Sequence, residues 1–184
     1  MAEFEPALKV VLDHEGGAAY TAHPADHGGP TKWGVTLATL ADWRGATVKP
    51  GDVEGLSFEE AAKIYRARYW DAIHGDDIED QQVATKCLDI VVNMGVRNGS
   101  HVIQLAVTWA GKFIIVDSIV GANTLKAMNS TGPLVLLGEL RQAMRLRYMG
   151  IAALHPEQNV FLKGWLNRAD WGVFPVPKEE EGLV

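Results

Sequence analysis

A chain of 184 residues with 47% apolar content and a net charge of −6 suits one domain, or two small halves packed together, around a real core. Its apolar runs, residues 113–116 among the longest, fall far short of the roughly 20 residues of a membrane span. The lone Cys87 excludes an internal disulfide and fits a reducing compartment.

Helical periodicity dominates the chain. Phe4, Leu8, Val11 and Leu12 share one face and predict a first helix over residues 6–14. Glu15 then sits at its C-terminal end, and Gly16-Gly17 provide the stop. Residues 18–46, rich in Pro, Gly and His, predict loops with short strands around residues 32–36. Ser57-Phe58-Glu59-Glu60 is a capping box that opens a helix to about Trp70. Val83, Cys87, Ile90, Val91 and Met94 form a third apolar stripe ended by Gly95, on which Cys87 reads as an inert buried thiol.

Asn98-Gly99-Ser100 is the predicted joint between two halves, a catalytic region over 1–98 and a second helical region over 99–177 packed with it as one body. Helices are predicted over 101–110, 123–128 and 134–154, the last carrying Arg141, Arg145 and Arg147. Residues 113–116 predict a brief β-hairpin or a buried turn, and residues 178–184 a mobile acidic tail. Charge divides unevenly: residues 1–99 hold 9 Lys/Arg and 16 Asp/Glu, residues 100–177 hold 7 and 4. That balance argues against nucleic acid as main partner and lets the second half meet an anionic polymer, the alternative being ordinary surface scatter. The acidic start MAEFEPALKVVLDHE lacks the basic opening and apolar stretch of a signal peptide, so synthesis in the cytoplasm without stable membrane insertion is expected.

The chemistry concentrates in residues 12–36. Glu15 stands beside two glycines, which clear room for a bulky ligand. A carboxyl at the end of an apolar helix, beside the helix's negative pole, is placed to keep a proton, as a general acid for glycosidic cleavage requires. The bland alternative is a solvated helix-end residue. Asp26 with Thr31 or Thr36 offers polar groups for holding a water, or Asp26 orders its loop as an Asx turn. Trp33 is a sugar platform or part of the core. His14, His23, His27 and Asp26 lie close in sequence but match no zinc spacing, so neither a metal nor a cofactor is expected.

Glu15-Gly16-Gly17, Pro24 and Asp26-x-Gly28-Gly29-x-Thr31-Lys32-x-Gly34-Val35-Thr36 resemble the signature of the glycoside hydrolase family 108 muramidases, which include phage endolysins and secretion-activator proteins. The resemblance continues through Tyr65-x-x-x-Tyr69-Trp70 and Asp89-x-x-Val92-Asn93-x-Gly95. In the second half, Val116-Asp117-x-Ile119-Val120-Gly121-x-x-Thr124, Arg141, Arg145, Tyr148 and Phe161-Leu162-x-Gly164-Trp165-Leu166-Asn167-Arg168 resemble the family's peptidoglycan-binding region. Two departures stand out. Ala18 replaces the aromatic that commonly follows the glycines, with Tyr20 deferred by two places, and Asp117-Ser118 replaces Asp-Gly.

The resemblance implies a mainly α, lysozyme-like enzyme that cleaves the β-1,4 bond from N-acetylmuramic acid to N-acetylglucosamine. Glu15 falls on the family's catalytic glutamate. Asp26 and Thr36 are candidates for placing the hydrolytic water, and Tyr20, Trp33 and Asn93 for contacting substrate. Asp89, four residues from Asn93, lines the cleft floor or bonds the loop's backbone. The implied protein is a monomeric endolysin acting on periplasmic peptidoglycan and reaching it through a holin-type pore. The rivals are a lytic transglycosylase using the same glutamate and a non-enzymatic wall-binding or secretion-assisting protein.

Overall fold

The computed structural model describes residues 1–15, 17–22 and 29–171. Asp26, His23, His27 and the acidic tail of the sequence reading therefore lie outside the described residues. The fold is mainly α, as expected. Its helices are α1 (Phe4–His14), α2 (Leu37–Arg44), α3 (Pro50–Glu54), α4 (Phe58–Tyr65), α5 (Gln81–Met94), α6 (Val96–Trp109), α7 (Ala122–Asn129), α8 (Pro133–Leu154) and α9 (Asn159–Asp170), with a hairpin of β1 (Thr31–Lys32) and β2 (Val35–Thr36). None of these helices is long and apolar enough to cross a membrane.

The central element is α5. Asp80 opens it, its carboxylate accepting from the backbone N–H groups of Gln82 and Val83 at 3.0 and 2.9 Å. Apolar Val83, Ala84, Leu88, Ile90 and Val91 are buried along it, and it packs against α1, α6 and α8. Cys87 is buried there too, and burial pushes its thiol up to about 12. Gly95 alone separates α5 from α6. The expected joint at residues 98–100 thus falls inside α6, where Gly99 packs so closely on Val91 that a Cβ would lie 2.7 Å from its Cα. That glycine serves close helix packing.

Ser57 caps α4 as expected, its hydroxyl accepting from the Glu60 N–H at 3.1 Å. Beyond Tyr65 the helix widens into a π segment over Arg66–Trp70. Three helices were missed: α2, the short α3 and α9. Helix α2 buries only Leu40, so its sequence carries no apolar stripe. Helix α9 buries only Ala169 outright, with Leu162 and Trp165 partly buried against the core, and charge ties it to α8 as well: Asp170 accepts from Arg141 Nε at 2.7 Å and from Arg145 Nη1 at 2.7 and 2.9 Å. Residues 113–116 form no hairpin; they run without a paired strand among the described residues.

Ser118, where the family's pattern has Gly, adopts φ +67°, the left-handed region that disfavours side chains. Ser118→Gly is expected to stabilise the fold by about 1 kcal/mol, raising Tm by roughly 2–4 °C in a calorimetric scan. An unchanged or lowered Tm would show that the turn's backbone carries no such strain.

Candidate active site

Helix α1 buries Ala7, Leu8, Val11 and Leu12, and this stripe fixes the direction in which its last turn points. The chain leaves the helix at Glu15, whose N–H donates to Val11 O and Leu12 O at 3.1 Å each, while Gly17 N–H donates to Leu12 O at 2.9 Å. The Glu15 side chain is one quarter exposed.

The β1–β2 hairpin stands directly against it. Lys32 pairs with Val35, so Trp33 and Gly34 are the two turn residues, both at positive φ (54° and 69°), as a type I′ turn requires. A Cβ on Gly34 would lie 3.2 Å from Glu15 Cβ and 2.3 Å from the Tyr65 hydroxyl. That hydroxyl donates to Trp33 O at 3.0 Å, linking α4 to the turn. Burial raises the Tyr65 phenol's pKa, and the nearby charge of Glu15 adds to the effect, so it stays a proton donor.

On the other side stands Arg168 of α9, whose Nη2 donates to Glu15 Oε1 at 2.7 Å. Its Nε donates to Asp89 Oδ1 at 3.0 Å, and Nη2 lies 2.9 Å from the same oxygen. Asp89 is wholly buried and also meets His14 Nδ1 at 3.2 Å. Lys86, 2% exposed, lies 3.8 Å from Asp89 Oδ2 and donates to Arg168 O and Trp171 O at 2.9 and 3.1 Å. These carbonyls close the end of α9, so one lysine ties α5 to the helix that delivers the arginine.

Burial pushes the Lys86 ammonium down to about 8, and the like charge of Arg168 adds to that; Asp89 opposes it. For Asp89, burial alone would favour the protonated carboxyl, but the His14 hydrogen bond and the charges of Arg168 and Lys86 outweigh it and hold the pKa below its ordinary 3.8. A carboxylate depressed on folding adds stability that is fully present above its unfolded pKa and is lost as pH falls through the folded one. Stability from this cluster is thus expected to persist down to about pH 4 and to decline below it. A carbon-13 titration should give Asp89 a midpoint below 3.8; a midpoint at or above that value would mean the cluster does not hold its charge.

The expected site residues divide. Thr36 lies on β2 and is half-buried, but its hydroxyl also caps α2, accepting from Thr39 N–H at 3.2 Å and lying 3.0 Å from Thr39 Oγ1. Trp33 packs edge-on against Phe58, ring centroids 5.5 Å apart, with Nε1 buried and unpartnered among the described residues. Tyr20 is half-buried against the core. Asn93 Oδ1 accepts from Tyr148 at 2.7 Å, and Tyr148 in turn stacks on Trp165. Asn93, Trp165, His14 and Arg168 all line one groove of about 480 Å³, so Asn93 and the cation beside Glu15 share a surface. Asp89 is buried and not on a cleft floor, it bonds no loop backbone among the described residues, and it anchors Arg168.

Arg168 was the residue that sequence reasoning did not single out for a role, although it closed the last of the family-like blocks. Two comparisons bear on this arrangement. Residues 8–95 match the model of glycosyl hydrolase 108, and residues 98–170 match that of a predicted peptidoglycan domain. A solved structure, that of SagA from Brucella abortus, is 32% identical, with a TM-score of 0.74, covering 92% of this chain and 91% of its own. The chain belongs to the glycosyl hydrolase 108 family. A search of curated proteins gives no match. The chain is thus a glycosidase that acts on peptidoglycan, and its two matched regions meet at one carboxylate: Glu15 comes from the hydrolase region, and Arg168 from the peptidoglycan region.

Proposed function

We propose that this glycosidase is a muramidase, hydrolysing the β-1,4 bond between N-acetylmuramic acid and N-acetylglucosamine with Glu15 as general acid. The observation that carries the reading is the setting of Glu15. Its carboxylate is partly open to solvent, abutted by a glycine turn, and paired with a guanidinium that lines a groove.

In this reading a protonated Glu15 gives its proton to the glycosidic oxygen as the bond to the anomeric carbon breaks. The carboxylate that remains is the species paired with Arg168 at 2.7 Å, so the guanidinium stabilises negative charge as it forms. Asp89 keeps Arg168 in place through Nε. A water then attacks the oxocarbenium-like carbon, and its proton passes to the Asp26 carboxylate or, where Thr36 alone orients the water, to bulk water. Asp89 is too buried to hold that water; the family resemblance makes Asp26 and Thr36 the candidates for the role, with Tyr20, Trp33 and Asn93 contacting the sugars.

A lytic transglycosylase, in which the muramic acid's own hydroxyl attacks, needs no water-holding group. Digested murein separates the two, because hydrolysis yields muropeptides heavier by one water than 1,6-anhydro products. Anhydro products alone would overturn the muramidase reading; products of neither kind would favour the non-enzymatic wall-binding protein. The same proposal includes a monomeric endolysin that meets the wall through a holin-type pore. Lysis of cells that co-express the chain with a pore-forming protein, and not with either alone, is the expected result.

A further inference from the structure

A groove of about 820 Å³ is remote in sequence from Glu15. It lies between the segment 111–119 and α7, inside the region matched to the peptidoglycan domain. Along that segment, exposed and half-buried residues alternate at every position, the period of an extended strand. No strand among the described residues pairs with it, and the backbone N–H groups of 113–117 find no partner there. The segment is a free edge.

It is also a rigidly held edge. Gln104, almost wholly buried, places its Nε2 within 3.2 Å of Ile115 O, Ile119 O, Asp117 Oδ1 and Thr124 Oγ1, and its Oε1 accepts from Ser118 N–H at 2.7 Å. One amide thus organises the whole bend from beneath. The outward side chains are Phe113, Ile115 and Ile119, all largely exposed. Monomeric proteins seldom hold such a cluster in solvent without a use. Lys112 and Lys126 also line the groove, and the charge of Asp117 is taken up by Gln104 and the Ile119 N–H.

We infer that this groove docks the peptide stem of peptidoglycan, an extended acidic peptide laid along the free edge of residues 113–117. Its alanyl methyls would rest on Phe113, Ile115 and Ile119, and its carboxylates would face Lys112 and Lys126. An extended ligand satisfies unpaired backbone donors as an added strand does. The glycan strand fits less well, since sugar rings call for flat aromatic faces with polar groups between them, and the outward row here is mostly aliphatic. The inference rests on peptidoglycan as partner and is independent of which residue cleaves it.

The test uses the full chain carrying Glu15→Gln, so that the wall is not digested during binding. Binding is measured to purified sacculi immobilised on a surface and to the same glycan strands stripped of stems by an amidase and immobilised likewise. Binding to intact sacculi is expected to be at least about tenfold stronger. Adding Ile115→Asn or Lys126→Glu, both surface changes, is expected to weaken it by about tenfold with Tm unchanged. Equal binding to stripped strands and intact sacculi, or intact binding by both variants, overturns the inference. So does a wild-type dimer on gel filtration that Ile115→Asn makes monomeric without loss of binding, which would assign the edge to self-pairing. Wild-type muropeptide release, measured separately, stands or falls with the proposed function and not with this site.

Discussion

Glu15→Gln is expected to reduce release of muropeptides from purified murein by roughly 10²–10⁴-fold, the range that general acid catalysis supplies. The amide keeps the shape of the side chain and can still accept from Arg168 Nη2, now 2.7 Å from Oε1, but it has no proton to give. Folding should survive, because the Glu15–Arg168 pair is partly open to solvent and Arg168 retains Asp89. Sedimentation with intact sacculi should survive as well. Turnover within a few-fold of the parent would rule out Glu15 as the acid, and loss of folding together with turnover would make its role structural.

The second large effect is expected at Gly34. Its φ of +69° disfavours any side chain, and a Cβ there would meet the Tyr65 hydroxyl at 2.3 Å and Glu15 Cβ at 3.2 Å. Gly34→Ala must therefore break the Tyr65–Trp33 hydrogen bond or push Glu15 aside. The expected cost is about 2–4 kcal/mol, combining backbone strain with overpacking, together with a loss of turnover of at least tenfold, since displacing a reacting group by about 1 Å can cost more than that. Gly45 supplies the control. It has a similar φ of +62° but nothing within 4 Å of a Cβ, so Gly45→Ala should show only the backbone cost, about 1 kcal/mol, and full turnover. If both substitutions behaved alike in calorimetry and murein digestion, the turn would not be what positions Glu15.

These two residues mark how far local pattern reaches. The glycines beside Glu15 were read as clearing room for a ligand, yet Gly34 was not, and nothing local shows that it touches Glu15; that contact needs the hairpin folded onto the end of α1. Thr36 was legible as a polar group near the site, while its cap on α2 was not, because α2 has no apolar stripe to announce a helix. Asn98-Gly99-Ser100 was read as the joint between halves and lies close to where the two family matches part, yet the segment itself is helix, since a glycine reads the same whether it frees the backbone or admits a neighbour.

What the amino-acid sequence determined by itself is the placement of Glu15: the stripe of Leu8, Val11 and Leu12 makes α1, and the glycines after it end the helix at that carboxyl. Periodicity also determined α5 and α8, whose buried faces repeat at the helical spacing. What only the tertiary structure decided is the charge around the carboxyl. Arg168 lies 153 residues away, on a helix that buries a single residue outright and is held by Asp170, Arg141, Arg145 and Lys86. Periodicity reports which face of a segment leaves water. It carries no information about which distant ion that segment brings along, because such pairing depends on how whole helices cross.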